Sequence, residues 1–268
     1  MLMSLKRYFL LLVIFFSVFI YGLIVFLPIS VVAREIERNV PGASIGESSG
    51  RLWQGHFNDV SWEEFNHGTL SWQLHLLALL EGDIEVTLKF SQKTISASTK
   101  LTIPFNHLLT LKEIELTGTK ATFNIEQLTP FAPYPLPSVT GELNVFLEHL
   151  ALDLKTISYS RPNIPIVKLE SPVLFSTSHV KVLDEIDIGE YSGKIMNTKN
   201  LLGYKITLES ISGALGVSGH SVLLNQQIKS EYLVNPSAKI DLQLTQLLDL
   251  MGQKRPDGSY SFNTDYAL

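Results

Sequence analysis

Apolar and polar residues alternate along most of this chain, and one unbroken apolar run stands near its start. In residues 83–90, Ile84, Val86, Leu88 and Phe90 alternate with Asp83, Glu85, Thr87 and Lys89. After a polar break at 91–93, Ile95, Ala97, Leu101 and Ile103 alternate with Ser96, Ser98, Lys100 and Thr102. A period of two predicts half-buried strands, and the break between them reads as a hairpin. The rhythm returns at Ile114/Leu116, Ala121/Phe123/Ile125, Leu143/Val145/Leu147, Tyr204/Ile206/Leu208 and Ile240/Leu242/Leu244. Gly118, Gly141, Gly193, Gly213, Gly216 and Gly219 fall where bulges and turns are expected. Leu244, Leu247, Leu248 and Met251 recur instead at helical spacing and Gly252 supplies a stop, which predicts one short helix capping the sheet. Asp257-Gly258 is a turn pair, followed by a closing strand with Tyr260, Phe262, Tyr266 and Leu268.

Four prolines in residues 129–137 rule out a central strand there, and three more lie in 160–172. The first of these connectors divides the β-rich part into 49–128 and 138–268, with 28–48 read as a linker. The predicted class is all-β, as amphipathic antiparallel strands forming either a β-sandwich or a curved open sheet. A sandwich fills its core and serves as a scaffold, whereas an open sheet leaves an apolar trough able to hold an acyl chain.

Residues 8–27 carry no charge, and only Ser17 and Gly22 interrupt the apolar run. As a helix this segment spans roughly 30 Å, the thickness of a bilayer's hydrocarbon core. A cleaved secretory signal is the alternative, with Val31 and Ala33 as the small residues before a cleavage point, but the run exceeds a signal core. Lys6 and Arg7 precede it, while Arg34 and Arg38 beyond it are matched by Glu35 and Glu37. That asymmetry places residues 1–7 in the cytoplasm and the remainder outside it. The expectation is a single-pass membrane protein whose carboxyl-terminal part is exported, which in a bacterium means the periplasm.

Over 268 residues, Lys+Arg 21 against Asp+Glu 26 gives a net charge of −5, and there is no cysteine. Disulfides and thiolate metal sites are thereby excluded. A mildly acidic chain also argues against nucleic acid as a partner and against tethering by anionic headgroups. His56, His67, His75, His107, His149, His179 and His220 form no metal-ligand spacing. Glu63-Glu64 and Asp184-Glu185 are sequence neighbours, which a strand would send to opposite faces. Gly216-Val217-Ser218-Gly219 falls one residue short of a nucleophile elbow, and no phosphate loop follows. The expectation is a protein that is not an enzyme and holds no cofactor or metal; a hydrolase would need a Ser/His/Asp grouping that sequence order does not display.

One cluster stands apart from the strand rhythm. Residues 49–55 read Ser-Gly-Arg-Leu-Trp-Gln-Gly, and Trp53, Trp62 and Trp72 are all the tryptophans of the chain. Gly50 and Gly55 bracketing Leu52-Trp53 imply a tight turn that presents an indole to a ligand or partner. Alternatively, Trp53 and Trp72 plug the end of the β core nearest the membrane.

The order of these features resembles the general secretion pathway protein N family of the type II secretion machinery of Gram-negative bacteria. Gly50, Leu52, Trp53 and Gly55 match its opening motif, and Trp72 follows within Leu70-Ser71-Trp72-Gln73-Leu74. Gly252 with Asp257-Gly258-Ser259-Tyr260 is similar to its carboxyl-terminal element. The resemblance implies an accessory inner-membrane component with a periplasmic β domain, aiding the export of folded proteins. Its partners would be the inner-membrane platform proteins and the secretin, met through sheet edges or strand addition. The β-rich pattern is also similar to AsmA-like periplasmic proteins, which implies a lipid as the alternative partner.

Overall fold

In this computed structural model, residues 11–16, 18, 19, 22, 26, 28–40, 42–62, 65–108, 113–126, 138–153, 169–183, 186–199, 203–224, 227–237 and 240–267 are described. They belong to two compact units, Met1–Lys93 and Thr94–Leu268. The proline-rich connector 129–137, most of 160–172, and the pairs Glu63-Glu64 and Asp184-Glu185 lie outside the described residues. Of the apolar run 8–27, residues 11–16, 18, 19, 22 and 26 are described and helical, and Leu11 to Phe16, Val18, Phe19 and Phe26 are exposed. Among the described residues no helix is long and apolar enough to cross a membrane.

The first unit begins with helix α1 (Ile29–Asn39), which occupies ground read from sequence as linker. Ile29, Val32, Ala33 and Ile36 recur at i, i+3, i+4 and i+7, so one stripe of the helix is apolar. That stripe lies on the sheet: Ile29, Ala33 and Phe57 are buried together, packed by Val32, Ile36, Ile45, Val60, Leu70 and Trp72. The strands are β1 (Ala43–Ile45), β2 (Ser48–Arg51), β3 (Gln54–Trp62), β4 (Phe65–Leu74) and β5 (Asp83–Gln92). Their antiparallel order is β1-β3-β4-β5, with β2 also paired to β3. A one-turn helix, α2 (Ala78–Glu81), joins β4 to β5.

The second unit contains β6 (Ile95–Pro104), a one-turn helix α3 (Phe105–Leu108), β7 (Glu113–Asn124), β8 (Val139–Asp153), β9 (Val173–Val182), β10 (Ile186–Asn197), β11 (Gly203–Ser212), β12 (Leu215–Leu224) and β13 (Gln227–Pro236). Helix α4 (Leu242–Met251), β14 (Gln253–Lys254) and β15 (Tyr260–Ala267) complete it. From β6 to β13 each strand pairs antiparallel with the next, then β15 pairs with β13 and β14 with β15. The sheet is open, because β14 does not return to β6. Of the two architectures the alternation allowed, the open antiparallel sheet is the one formed, and the sandwich is set aside. From β9 to β13 the connections are only two to five residues long, which favours this outcome because each strand meets its sequence neighbour before any other partner.

Helix α4 is where the short cap was expected, but it begins at Leu242 and so takes over the strand read at Ile240/Leu242/Leu244. Asp241 decides the start: its carboxylate accepts from the Gln243 N–H at 2.7 Å, an N-cap. Leu244 and Leu248 bury against Leu215, Val234 and Tyr260, with Ile186, Ile188, Val217, Leu247 and Phe262 around them. The Ala121/Phe123 and Ile114/Leu116 segments fuse into the single strand β7, where Gly118 has φ +58° and the register to β6 slips by one between Ser98 and Lys100.

Candidate functional site

The Gly-Arg-Leu-Trp-Gln-Gly segment folds as the β2–β3 hairpin, with Leu52 and Trp53 at its turn. Gly50 pairs with Gly55 across the hairpin, and Gly55 pairs with Trp72 on β4. Both glycines are required by space: a Cβ on Gly55 would lie 2.5 Å from Trp72 Cζ2 and 2.6 Å from the Ser49 carbonyl oxygen. One on Gly50, whose φ is +104°, would meet Gly55 Cα at 2.5 Å. The Trp72 ring occupies the room so left, tilted 39° to the Phe57 ring with centres 4.6 Å apart, and its Nε1–H donates to the Leu52 carbonyl at 3.0 Å. Trp72 is therefore a partly buried residue that packs against the core of Ile29, Ala33 and Phe57 and also ties down the turn. Trp53 sits at the turn itself under the Arg51 guanidinium, whose carbon stands 5.0 Å from the ring centre. Trp62 lies on β3, away from this pair.

On β3, β4 and β5 the register builds two polar rows, Gln54–Gln73–Thr87 and His56–Ser71–Lys89. Alternation places both rows on one sheet face and Gly55, Trp72 and Leu88 on the other. The two polar rows, with Ser49, Arg51 and Trp53, line an open hollow of about 480 Å³. Ser49 Oγ is 2.9 Å from His56 Nε2. No carboxylate lines the hollow among the described residues, so its chemistry is hydrogen bonding with a cationic bias from Arg51 and Lys89. Sequence reasoning found Gly50, Leu52, Trp53, Gly55 and Trp72 but missed His56, Ser71, Gln73 and Lys89, because these meet only through cross-strand register.

The carboxyl-terminal element is a second local structure. Asp257 accepts from the Ser259 N–H at 3.0 Å and from the Ser259 hydroxyl at 2.6 Å, closing a turn through Gly258. These bonds hold the Asp257 carboxyl below the usual carboxylate range. The turn sends Tyr260 into the core at 1% exposure, where its hydroxyl donates to Asp249 Oδ1 at 2.6 Å. Lys254 Nζ lies 3.6 Å from the same oxygen and 5.4 Å from the Tyr260 ring centre. Its pKa is raised, chiefly by hydrogen bonding with Tyr260 and then by the Asp249 charge. Gly258 and Tyr260 thus fix strand β15 and helix α4 to one another.

The remaining histidines are dispersed. His75 Nε2 is 2.8 Å from Thr87 Oγ1, and His149 Nε2 is 2.9 Å from Glu170 Oε2. Among the described residues no three His, Asp or Glu side chains converge as a metal site. In the second unit a smaller hollow of about 320 Å³ lies over β7, β8 and β9, where Lys120, Phe146 and Leu174 are cross-strand neighbours. Phe146 and Leu174 are 37% and 45% exposed there.

Fold and sites together define an open-sheet β protein whose most specific features are turns held by glycine, tryptophan and tyrosine. Residues 41–263 match the family model described as type II secretion system (T2SS), protein N, and the chain belongs to that family. A stretch of 79 residues is 34% identical to the type II secretion system protein N of Vibrio cholerae serotype O1 (strain ATCC 39315 / El Tor Inaba N16961). That stretch covers 29% of this chain and 31% of the Vibrio protein, about a third of the relative's length. No solved structure matches the chain.

Proposed function

We propose that this protein is an accessory inner-membrane component of the type II secretion system, assisting the export of folded proteins from the periplasm across the outer membrane. The observation that carries this reading is the family match over 41–263, nearly the whole β-rich part of the chain. The anchor in this reading is the apolar run 8–27, whose described positions are helical and expose Leu11, Leu12, Val13, Ile14, Phe15 and Phe16. Residues 1–7 stay in the cytoplasm and both β units lie in the periplasm. The partners are the platform proteins of the inner membrane and the secretin, and the protein contributes binding surface, with no enzymatic step. Co-purification of the full chain from membranes with the platform proteins and the secretin, alongside an exoprotein secretion assay in a deletion strain, tests it. Contacts with those components and a secretion defect are expected; neither contact nor defect would overturn it.

A second reading, AsmA-like lipid binding, is favoured by the exposed Phe146 and Leu174 beside Lys120 on an open sheet. An acyl chain could lie along such a strip with its headgroup at the lysine. Native mass spectrometry of the full chain would then show retained phospholipid, lost in Phe146→Ser/Leu174→Ser; a lipid-free spectrum removes this reading.

A further inference from the structure

We infer that one end of the first unit rests on the lipid bilayer, with the loop between β4 and β5 dipped into its surface. The inference deepens the anchored reading above and rests on it. Strand β4 ends where the Leu74 N–H donates to the Trp53 carbonyl at 2.7 Å, so the loop leaves the sheet beside the β2–β3 turn. In the loop Ala78 is buried, whereas Leu76, Leu77 and Leu80 are 48%, 77% and 84% exposed. Three leucines turned outward on one short loop form an apolar patch that water does not favour.

What covers the patch is indicated by where the apolar run joins the unit. Pro28 forms an isolated bridge with Arg51 at the foot of the same β2–β3 turn, and α1 starts at the next residue. Phe26 is 75% exposed, and the Arg51 guanidinium carbon stands 6.0 Å from its ring centre and 5.0 Å from that of Trp53. Phe26, the last described residue of the run, is thus already at this corner. If the run crosses the bilayer, the chain emerges at the corner that carries the turn and the loop. An arginine and a tryptophan at that boundary suit the interface, where a cationic head or an indole N–H reaches water while the stem or ring stays in lipid. Contact is apolar, because the chain's net charge of −5 gives anionic headgroups no general attraction.

The absence of cysteine makes the test clean. The full chain, reconstituted in phosphatidylcholine vesicles, would carry one environment-sensitive fluorophore at Leu77→Cys, Leu80→Cys, Phe15→Cys or Lys93→Cys. Lys93 is exposed at the far end of β5, about 33 Å along that strand from the loop. Labels at 77 and 80 should be blue-shifted and quenched by nitroxide on lipid chains, while the label at 93 is quenched by aqueous iodide. If 77 and 80 respond to iodide as 93 does while 15 is quenched by lipid, the seating is wrong and the anchor stands. If 15 also responds only to iodide, the anchored reading itself fails.

Discussion

Gly55 is the position where one added methyl reveals most about the first unit. A Cβ there has to push aside either the Trp72 ring or the Ser49 backbone, both within 2.6 Å. Gly55→Ala is expected to cost about 1–3 kcal/mol, the range for overpacking a tight site, read as a lowered urea midpoint. Trp72→Phe should cost about 1–2 kcal/mol by leaving the Leu52 carbonyl without its indole donor. Tyr191 sets an alkaline limit in the second unit. Its hydroxyl donates to the Ile188 carbonyl at 2.9 Å with the Leu215 carbonyl 3.3 Å away, and burial, reinforced by the Asp187 charge, pushes its pKa up to about 12. Unfolded, the phenol ionises near pH ~10. The unfolded chain therefore loses its proton first, and stability present in full below that pH drains as pH rises toward 12. Thermal midpoints should be level up to the lower value and fall above it, and Tyr191→Phe should shrink the fall.

At the scale of elements, α4 shows both what a pattern can specify and where it becomes ambiguous. Leu244, Leu247, Leu248 and Met251 announced the helix, yet Ile240, Leu242 and Leu244 fitted a strand equally well. The Asp241 cap resolved the overlap, so Asp241→Ala should cost about 1 kcal/mol. Leu244→Ala removes a side chain that is 2% exposed and should cost about 3 kcal/mol, measured by chemical denaturation. Helix α1 carried a readable stripe at Ile29, Val32, Ala33 and Ile36, but it adjoins a run apolar all round, against which the stripe does not stand out. Strands β9 and β10 escaped notice because bulges reset their alternation, at His179 of β9, opposite Gly141 of β8, and at Gly189 of β10. The glycine-bracketed turn was legible because its chemistry is local. The hollow beside it was not, because Gln73 and Lys89 reach it through register, which no single strand encodes.

For the whole molecule, the proposed topology makes a prediction of its own. In intact spheroplasts a membrane-impermeant maleimide should label Lys93→Cys and Arg255→Cys but not Ser4→Cys; equal labelling of all three would contradict the orientation. The succession of strands in the second unit has a further consequence. From β6 to β13 every pairing joins a strand to the one just before it in the chain. Such a sheet has low contact order, because each closure spans only one hairpin or connector. It can assemble like a zip, in the order in which its strands become available, without waiting for a distant partner. Among the described strands of this unit the β13–β15 pairing is the one that skips a strand, spanning α4 and β14, so the last tooth closes when Tyr260 and α4 dock.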